Sequence, residues 1–237
     1  MIFLRSFIFY IGYLVSGFIA GFFATFIGPF INLERRLKIF SMWPLFANWY
    51  LGKTCNIKVI IEGKENITNK PCIIVSNHQG QWETFFFQYL FFPLCTLLKK
   101  ELLFIPFWGW AMKQLEPIAI DRKKPNAALK TILKEGEKRL NNNMFILFFP
   151  EGTRMPAGEV KKYSRSGFEL ALKTNTPILP VVHNSGDCWP AHRFLKRPGT
   201  IKIRIGKSSL VSNTKKAAIE IENWTRINLK EIRGLES

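Results

Sequence analysis

The chain has 237 residues, enough for one α/β-sized core with an appendage. Its net charge of +17 points to anionic partners: nucleic acid, a phospholipid surface or an acidic carrier. The four cysteines (Cys55, Cys72, Cys95, Cys188) have no CxxC spacing, which excludes a zinc knuckle or a thioredoxin-like site and fits small core residues in a reducing compartment.

From Ser6 to Leu33 there is no charged residue. These 28 positions, dense in Phe, Ile, Leu and Val, are long enough to cross a ~30 Å hydrocarbon layer as one helix or to form a shallow helical hairpin. Gly28 and Pro29 break the run near its end. Arg5 precedes it, whereas Arg35, Arg36 and Lys38 follow, so the positive-inside rule predicts that the bulk of the chain is cytoplasmic, anchored to the inner membrane. The run is too long, and lacks the small-residue cleavage site, for a removable signal peptide. Residues 34–56 are amphipathic, with Ile39, Phe40, Trp43, Leu45, Phe46, Trp49 and Tyr50 opposing the basic positions. They read as an interfacial helix, or as a helix packed on the main domain. Residues 1–56 are thus a membrane-anchoring unit and 57–237 a second unit.

In that second unit strands and helices alternate. Strands are predicted at 57–61, 72–75, 96–98, 117–120, 144–149, 178–182 and 201–205. The run 144–149 is continuously apolar, as a strand buried on both faces must be. Helices are predicted at 82–91, 104–115, about 129–140, 167–173 and from about 213 to the end. The fold class expected is α/β: a mixed, mostly parallel central sheet flanked by helices, with an N-terminal membrane-embedded helix or hairpin.

The strand Ile73-Ile74-Val75 runs into Ser76-Asn77-His78-Gln79-Gly80-Gln81-Trp82-Glu83. A strand that ends in Asn-His delivers an imidazole to a sheet edge, and Glu83, five residues on past a glycine, can return to it. A carboxylate-backed histidine is a general base for a hydroxyl or amine. Arg122 follows the strand Ile118–Ile120, and Arg154 follows the central strand in Phe149-Pro150-Glu151-Gly152-Thr153-Arg154. Ligands of α/β sheets bind at the carboxyl ends of strands, so His78, Arg122 and Arg154 are expected in one crevice. Two guanidinium forks beside a base form a receptor for a phosphate monoester with a nearby hydroxyl, and Gly152 lets the backbone pass close to it. There is no G-x-S-x-G elbow, Walker loop, H-E-x-x-H or dinucleotide fingerprint. The basic residues are scattered rather than set in a nucleic-acid motif, so no nucleic acid partner is expected. His183 and His192, without an acid at the same spacing, read as structural, and the aromatic cluster Phe85–Phe92 reads as helix and core.

The order NHQGQWE, KKELLFIPFWGW, IAIDR, FPEGTR and ILPVVHN resembles the glycerolipid acyltransferase superfamily and, more narrowly, the bacterial 1-acyl-sn-glycerol-3-phosphate acyltransferases, over roughly residues 57–206. The family pattern has Asp where this chain has Glu83. The resemblance implies transfer of a fatty acyl group from acyl-carrier-protein or acyl-CoA to the free hydroxyl of 1-acylglycerol 3-phosphate. His78 is then the base, Glu83 its partner, and Arg122, Glu151, Gly152, Thr153 and Arg154 the glycerol-phosphate site. Lys99 is implied as an oxyanion or phosphate contact, with Lys100 its substitute, and Pro180 as part of the donor-site wall. Glu151 has a second reading, bracing its own loop. Partners implied are a lysophospholipid, an acyl thioester, an anionic membrane and the acyl carrier protein; no metal or cofactor is required. Another lyso-acceptor, such as a lyso-ornithine lipid, and a non-catalytic basic membrane-binding module remain open.

Overall fold

The structure, a computed structural model, describes residues 1–235. Three helices come first: α1 (Ile2–Phe26), α2 (Leu33–Phe40) and α3 (Met42–Cys55). The rest alternates: β1 (Ile57–Glu62), β2 (Ile73–Ser76), α4 (Trp82–Leu90), β3 (Leu94–Lys99), α5 (Trp108–Lys113), β4 (Ile118–Ile120) and α6 (Pro125–Asn141). β5 (Phe145–Phe148), α7 (Ser166–Thr174), β6 (Ile178–His183), α8 (Ser185–Cys188), β7 (Gly199–Ile205) and α9 (Thr214–Ile232) complete it. Every strand expected from the sequence is present.

The seven strands form one sheet in the order β1-β7-β6-β2-β5-β3-β4. All pairings are parallel except β6 with β7. The central strands are buried on both faces, and their side chains alternate between two cores. Ile74, Leu147, Leu179 and Val181 face the core shared with α1, α3 and α4. Ile73, Val75, Ile146, Phe148 and Val182 face the core under α6, α7 and α9. Continuous apolar runs result because both faces need apolar side chains.

Helix α1 is about 37 Å long at 1.5 Å per residue. Pro29 ends the run inside a short 3₁₀ turn, and the Asn32 side chain caps α2 by accepting the Arg35 N–H at 3.0 Å. One face of α1 packs inward. Phe9 is fully buried against Trp189, with ring centroids 5.2 Å apart, which is worth about 1.5–3 kcal/mol. Gly17 admits the Trp43 ring and Gly21 admits Ala111, the close approach that small residues permit. Both ends of α1 are docked: Ser6 Oγ accepts the Lys196 N–H at 2.8 Å, and the Thr25 hydroxyl donates to the Phe107 carbonyl at 3.5 Å. The helix therefore lies along the protein body. Its other face, with Phe7, Leu14, Phe18 and Phe22, is exposed.

Lys196 belongs to this docking. It is buried, its Nζ donates to the carbonyls of Arg193 and Phe194 at 2.9 and 2.8 Å, and it sits over the rings of Tyr10 and Trp189. Burial pulls its pKa down to about 8; the two carbonyls and two ring faces favour the cation.

Candidate active site

β2 ends at Ser76 and hands the chain to Asn77 and His78, beside the carboxyl end of β5. Asn77 is fully buried and stitches β2 to β6. Its side chain donates to the His183 carbonyl at 2.9 Å and accepts the His183 N–H at 3.1 Å. The His183 ring is fixed as well: Nδ1 accepts the Ser185 N–H at 3.3 Å, so Nε2–H donates to the Asn77 carbonyl at 2.9 Å. Burial holds His183 below its ordinary pKa, and the neutral ring braces the site. His192 lies on an exposed loop.

His78 stands at the centre of the candidate site. Its Nδ1 is 2.9 Å from Glu83 Oε1, and Nε2 has no partner among the described residues. The ring stacks on Phe149 at 4.1 Å. The extra methylene of Glu83 is absorbed because this residue sits in the first turn of α4 and folds back over the loop. Oε1 also accepts the N–H groups of Gln79 and Gly80 at 2.7 and 2.6 Å, while Oε2 accepts the Ser185 hydroxyl at 2.8 Å. Burial alone would raise the Glu83 pKa; the adjacent His183 and His78 rings and the Gly80 N–H outweigh it and hold the carboxyl well below the usual range. With His183 neutral, the hydrogen bonds are the main support of the anion. An ionised Glu83 fixes the proton on Nδ1 of His78, leaving the Nε2 lone pair open to accept another.

The loop after β5 wraps this histidine. The His78 N–H donates to Glu151 Oε2 at 2.7 Å, and the His78 carbonyl accepts the Met155 N–H at 2.7 Å. Glu151 is buried and also accepts the Lys161 N–H at 3.4 Å, so its carboxylate braces the backbone rather than facing the crevice. Burial pushes its pKa up to about 8, against the His78 and Lys161 N–H groups and with help from the Glu83 charge. Gly152 has φ +71°, a conformation glycine adopts freely, and a Cβ there would meet nothing within 4 Å. Arg122, which follows β4, donates to the Gly152 carbonyl, so the two arginine segments meet. Arg154 is half-buried and within electrostatic reach of Tyr13 on α1, and Thr153 is exposed.

Lys99 ends β3, exposed, and makes no hydrogen bond or ion pair among the described residues; β5 stands between its strand and β2. The structure does not join Lys99 to His78. Lys100 begins the next turn, also exposed. Pro180 lies within β6, paired with Val75. Sequence reasoning passed over Ser185 and Phe149, whose roles depend on contacts across strands.

A cavity of about 810 Å³ runs from Gln81, three residues after His78, between α1 and α5. Tyr13, Gly17 and Gly21 line one wall and Phe107, Trp108 and Met112 the other. An apolar groove of this size, beside a few polar groups, has the dimensions of a small-molecule pocket.

A family model described as Acyltransferase matches residues 58–184. A Pseudomonas aeruginosa protein named 1-acyl-sn-glycerol-3-phosphate acyltransferase is 39% identical, covering 98% of this chain and 93% of its own. Proteins of the same name from Borreliella burgdorferi and Saccharomyces cerevisiae are 30% and 34% identical, covering 84% and 69% of this chain and 75% and 55% of theirs. The crystal structure of the 1-acyl-sn-glycerophosphate (LPA) acyltransferase PlsC from Thermotoga maritima superposes with a TM-score of 0.79 at 24% identity, over 99% of this chain and 97% of that one.

Proposed function

The chain belongs to the acyltransferase family, and we propose that it moves a fatty acyl group from an acyl thioester to the free hydroxyl of 1-acylglycerol 3-phosphate, giving phosphatidic acid. The observation that carries the proposal is the His78 Nδ1–Glu83 Oε1 contact at 2.9 Å with Nε2 left open. Nε2 accepts the hydroxyl proton as the hydroxyl oxygen attacks the thioester carbonyl. The carbon–sulfur bond then breaks, and the thiolate takes the proton back from Nε2. Glu83 stabilises the imidazolium between the two steps, and a base so placed contributes on the order of 10²–10⁴ in rate. The proton and acyl group balance with the imidazole alone, so no metal or cofactor is invoked.

Arg122 and Arg154, with the open backbone at Gly152 and Thr153, bind the phosphate of the acceptor. Glu151 holds the histidine from beneath. The groove beside Gln81 takes acyl chain. The donor is an acyl carrier protein or coenzyme A thioester; both are anionic, and the +17 charge favours either. The basic residues after α1 favour an inner-membrane location with the catalytic unit on the cytoplasmic side.

Purified protein incubated with labelled acyl donor and a panel of lyso-acceptors tests this. Turnover of 1-acylglycerol 3-phosphate above the other acceptors is expected. Turnover confined to an acceptor without a phosphate monoester would replace the reading with another lyso-lipid acyltransferase, and no turnover at all would favour a non-catalytic membrane module.

A further inference from the structure

The exposed apolar surface of this protein does not stop at α1. From the turn after β3 into the start of α5 the chain projects Phe104, Ile105, Phe107, Trp108 and Trp110, with Phe104 68% exposed. Single exposed apolar side chains are ordinary, but five within seven residues form a patch of the kind that marks an interaction surface. The projection is built rather than slack. A 3₁₀ turn (Lys100–Phe104) ends the strand, and the Gly109 N–H closes on the Ile105 carbonyl at 2.8 Å. A Cβ at Gly109 would stand 2.5 Å from the Leu102 carbonyl oxygen, so only glycine lets α5 fold back this tightly.

Two features name the occupant. The patch is continuous with the outer face of α1: Phe18 meets Phe107, Phe107 meets Trp110 at 5.4 Å, and Gly21 packs on Ala111. Exposed lysines, Lys99, Lys100 and Lys113, flank it. Tryptophans and phenylalanines rimmed by lysine are the composition of a segment that enters an anionic lipid interface. We propose that residues 104–110 are a second membrane-inserting element, which enters the same lipid surface as α1. The 810 Å³ groove lies between these two walls, so its mouth opens into the lipid and an acyl chain enters it sideways from the membrane. The use of the groove rests on the acyltransferase reading; the insertion itself does not.

All four native cysteines are buried, which permits selective spin labelling of the full chain carrying Phe104→Cys, with Lys215→Cys on α9 as the reference. On vesicles of phosphatidylglycerol and phosphatidylethanolamine, the nitroxide at 104 is expected to become accessible to oxygen and shielded from a water-soluble nickel relaxant, while that at 215 stays in water. Equal water exposure at both sites would overturn the proposal. So would immobilisation of the label at 104 by a soluble protein without lipid, which would make the patch a protein-docking surface. The variant Phe104→Ser/Ile105→Ser/Trp110→Ser avoids the groove lining, and should lose about tenfold or more of turnover on vesicles yet stay within about twofold of wild type in detergent micelles, since interfacial binding scales with buried apolar area. Unchanged vesicle turnover would contradict the proposal. Absence of turnover by wild type in micelles would instead count against the acyltransferase reading, and the spin-label depth would still decide the insertion.

Discussion

The backbone N–H of His78 donates to Oε2 of Glu151 at 2.7 Å, so the residue proposed as base and the loop proposed to bind phosphate are one mechanical unit. The Met155 N–H closes the other side of the same peptide segment at 2.7 Å. A phosphate bound by Arg154 and Gly152 is thereby referred to the same backbone that aims the imidazole. With His78 as the proposed base, Glu151 would act on the reaction by positioning the histidine.

Glu151→Ala should leave the His78 N–H unsatisfied in a buried place, at a cost of about 1–3 kcal/mol in stability. Turnover should fall with it, chiefly in kcat, while the KM for acceptor moves less. A rise in KM alone, in steady-state kinetics of the purified variant, would mean that Glu151 touches substrate after all.

Glu151 also gives stability a pH dependence. Its folded pKa near 8 lies above the ordinary 4.5, so the folded protein keeps a proton that the unfolded chain has released. This contribution is complete below pH 4.5 and is lost as pH rises through 8, at most about 1.4 kcal/mol per pH unit between the two values. Glu151→Gln should flatten the slope of unfolding free energy over pH 5–8 in denaturant titrations. An unchanged slope would place the source elsewhere.

Glu83 tests the carboxylate. Glu83→Gln removes the anion that fixes the His78 proton on Nδ1, and turnover should fall on the order of 10²–10⁴-fold. Glu83→Asp keeps the charge but retracts it from three donors that all meet Oε1, so an intermediate loss is expected. If Glu83→Gln matched wild type in kcat, the carboxylate would have no part in proton transfer.

The cations divide into two groups. Arg122→Ala and Arg154→Ala should each raise the KM for 1-acylglycerol 3-phosphate by about 10–100-fold, the worth of a charge-assisted hydrogen bond of about 1.5–3 kcal/mol. Lys99→Ala, an exposed cation with no partner among the described residues, should stay within about twofold, as exposed charges do. A larger loss for Lys99 than for either arginine, in the same assay, would restore it to the reacting atoms.

Lys196→Met should lower stability by about 2–4 kcal/mol, since it strands two carbonyls and removes two cation–π contacts. Thermal melting in detergent would show it. An unaltered midpoint would mean that α1 is held by its other contacts alone.

The sheet was legible in the sequence because buried strands need unbroken apolar runs, and 72–75, 144–149 and 178–182 provide them. Helices α6 and α9 were legible from their stripes, whereas residues 34–56 divide at Ser41 into α2 and α3 and only Trp108–Lys113 of the expected 104–115 is α-helical. Illegible were the relations that need three dimensions. Nothing local to Glu151 says that its carboxylate faces inward to the His78 N–H. Ser185 reaches Glu83 across 102 positions. Lys99 ends β3 exposed and without a partner among the described residues, so the motif alone carries its expected role. Nothing local to Lys196 marks it as buried, yet the fold closes two rings and two carbonyls around it. The apolar N-terminal run announced a membrane, but not that both ends of α1 would be docked on the protein body.

His78, held by Glu83, is the proposed base for acyl transfer to 1-acylglycerol 3-phosphate, a role open to direct kinetic test. Its most direct measurement is the single-turnover rate of phosphatidic acid formation by wild type and His78→Ala in vesicles of the same lipid composition, with folding of the variant checked by circular dichroism. The rate of the folded variant is expected to fall on the order of 10²–10⁴-fold with acceptor binding retained. A folded His78→Ala protein that forms phosphatidic acid at the wild-type rate would contradict it.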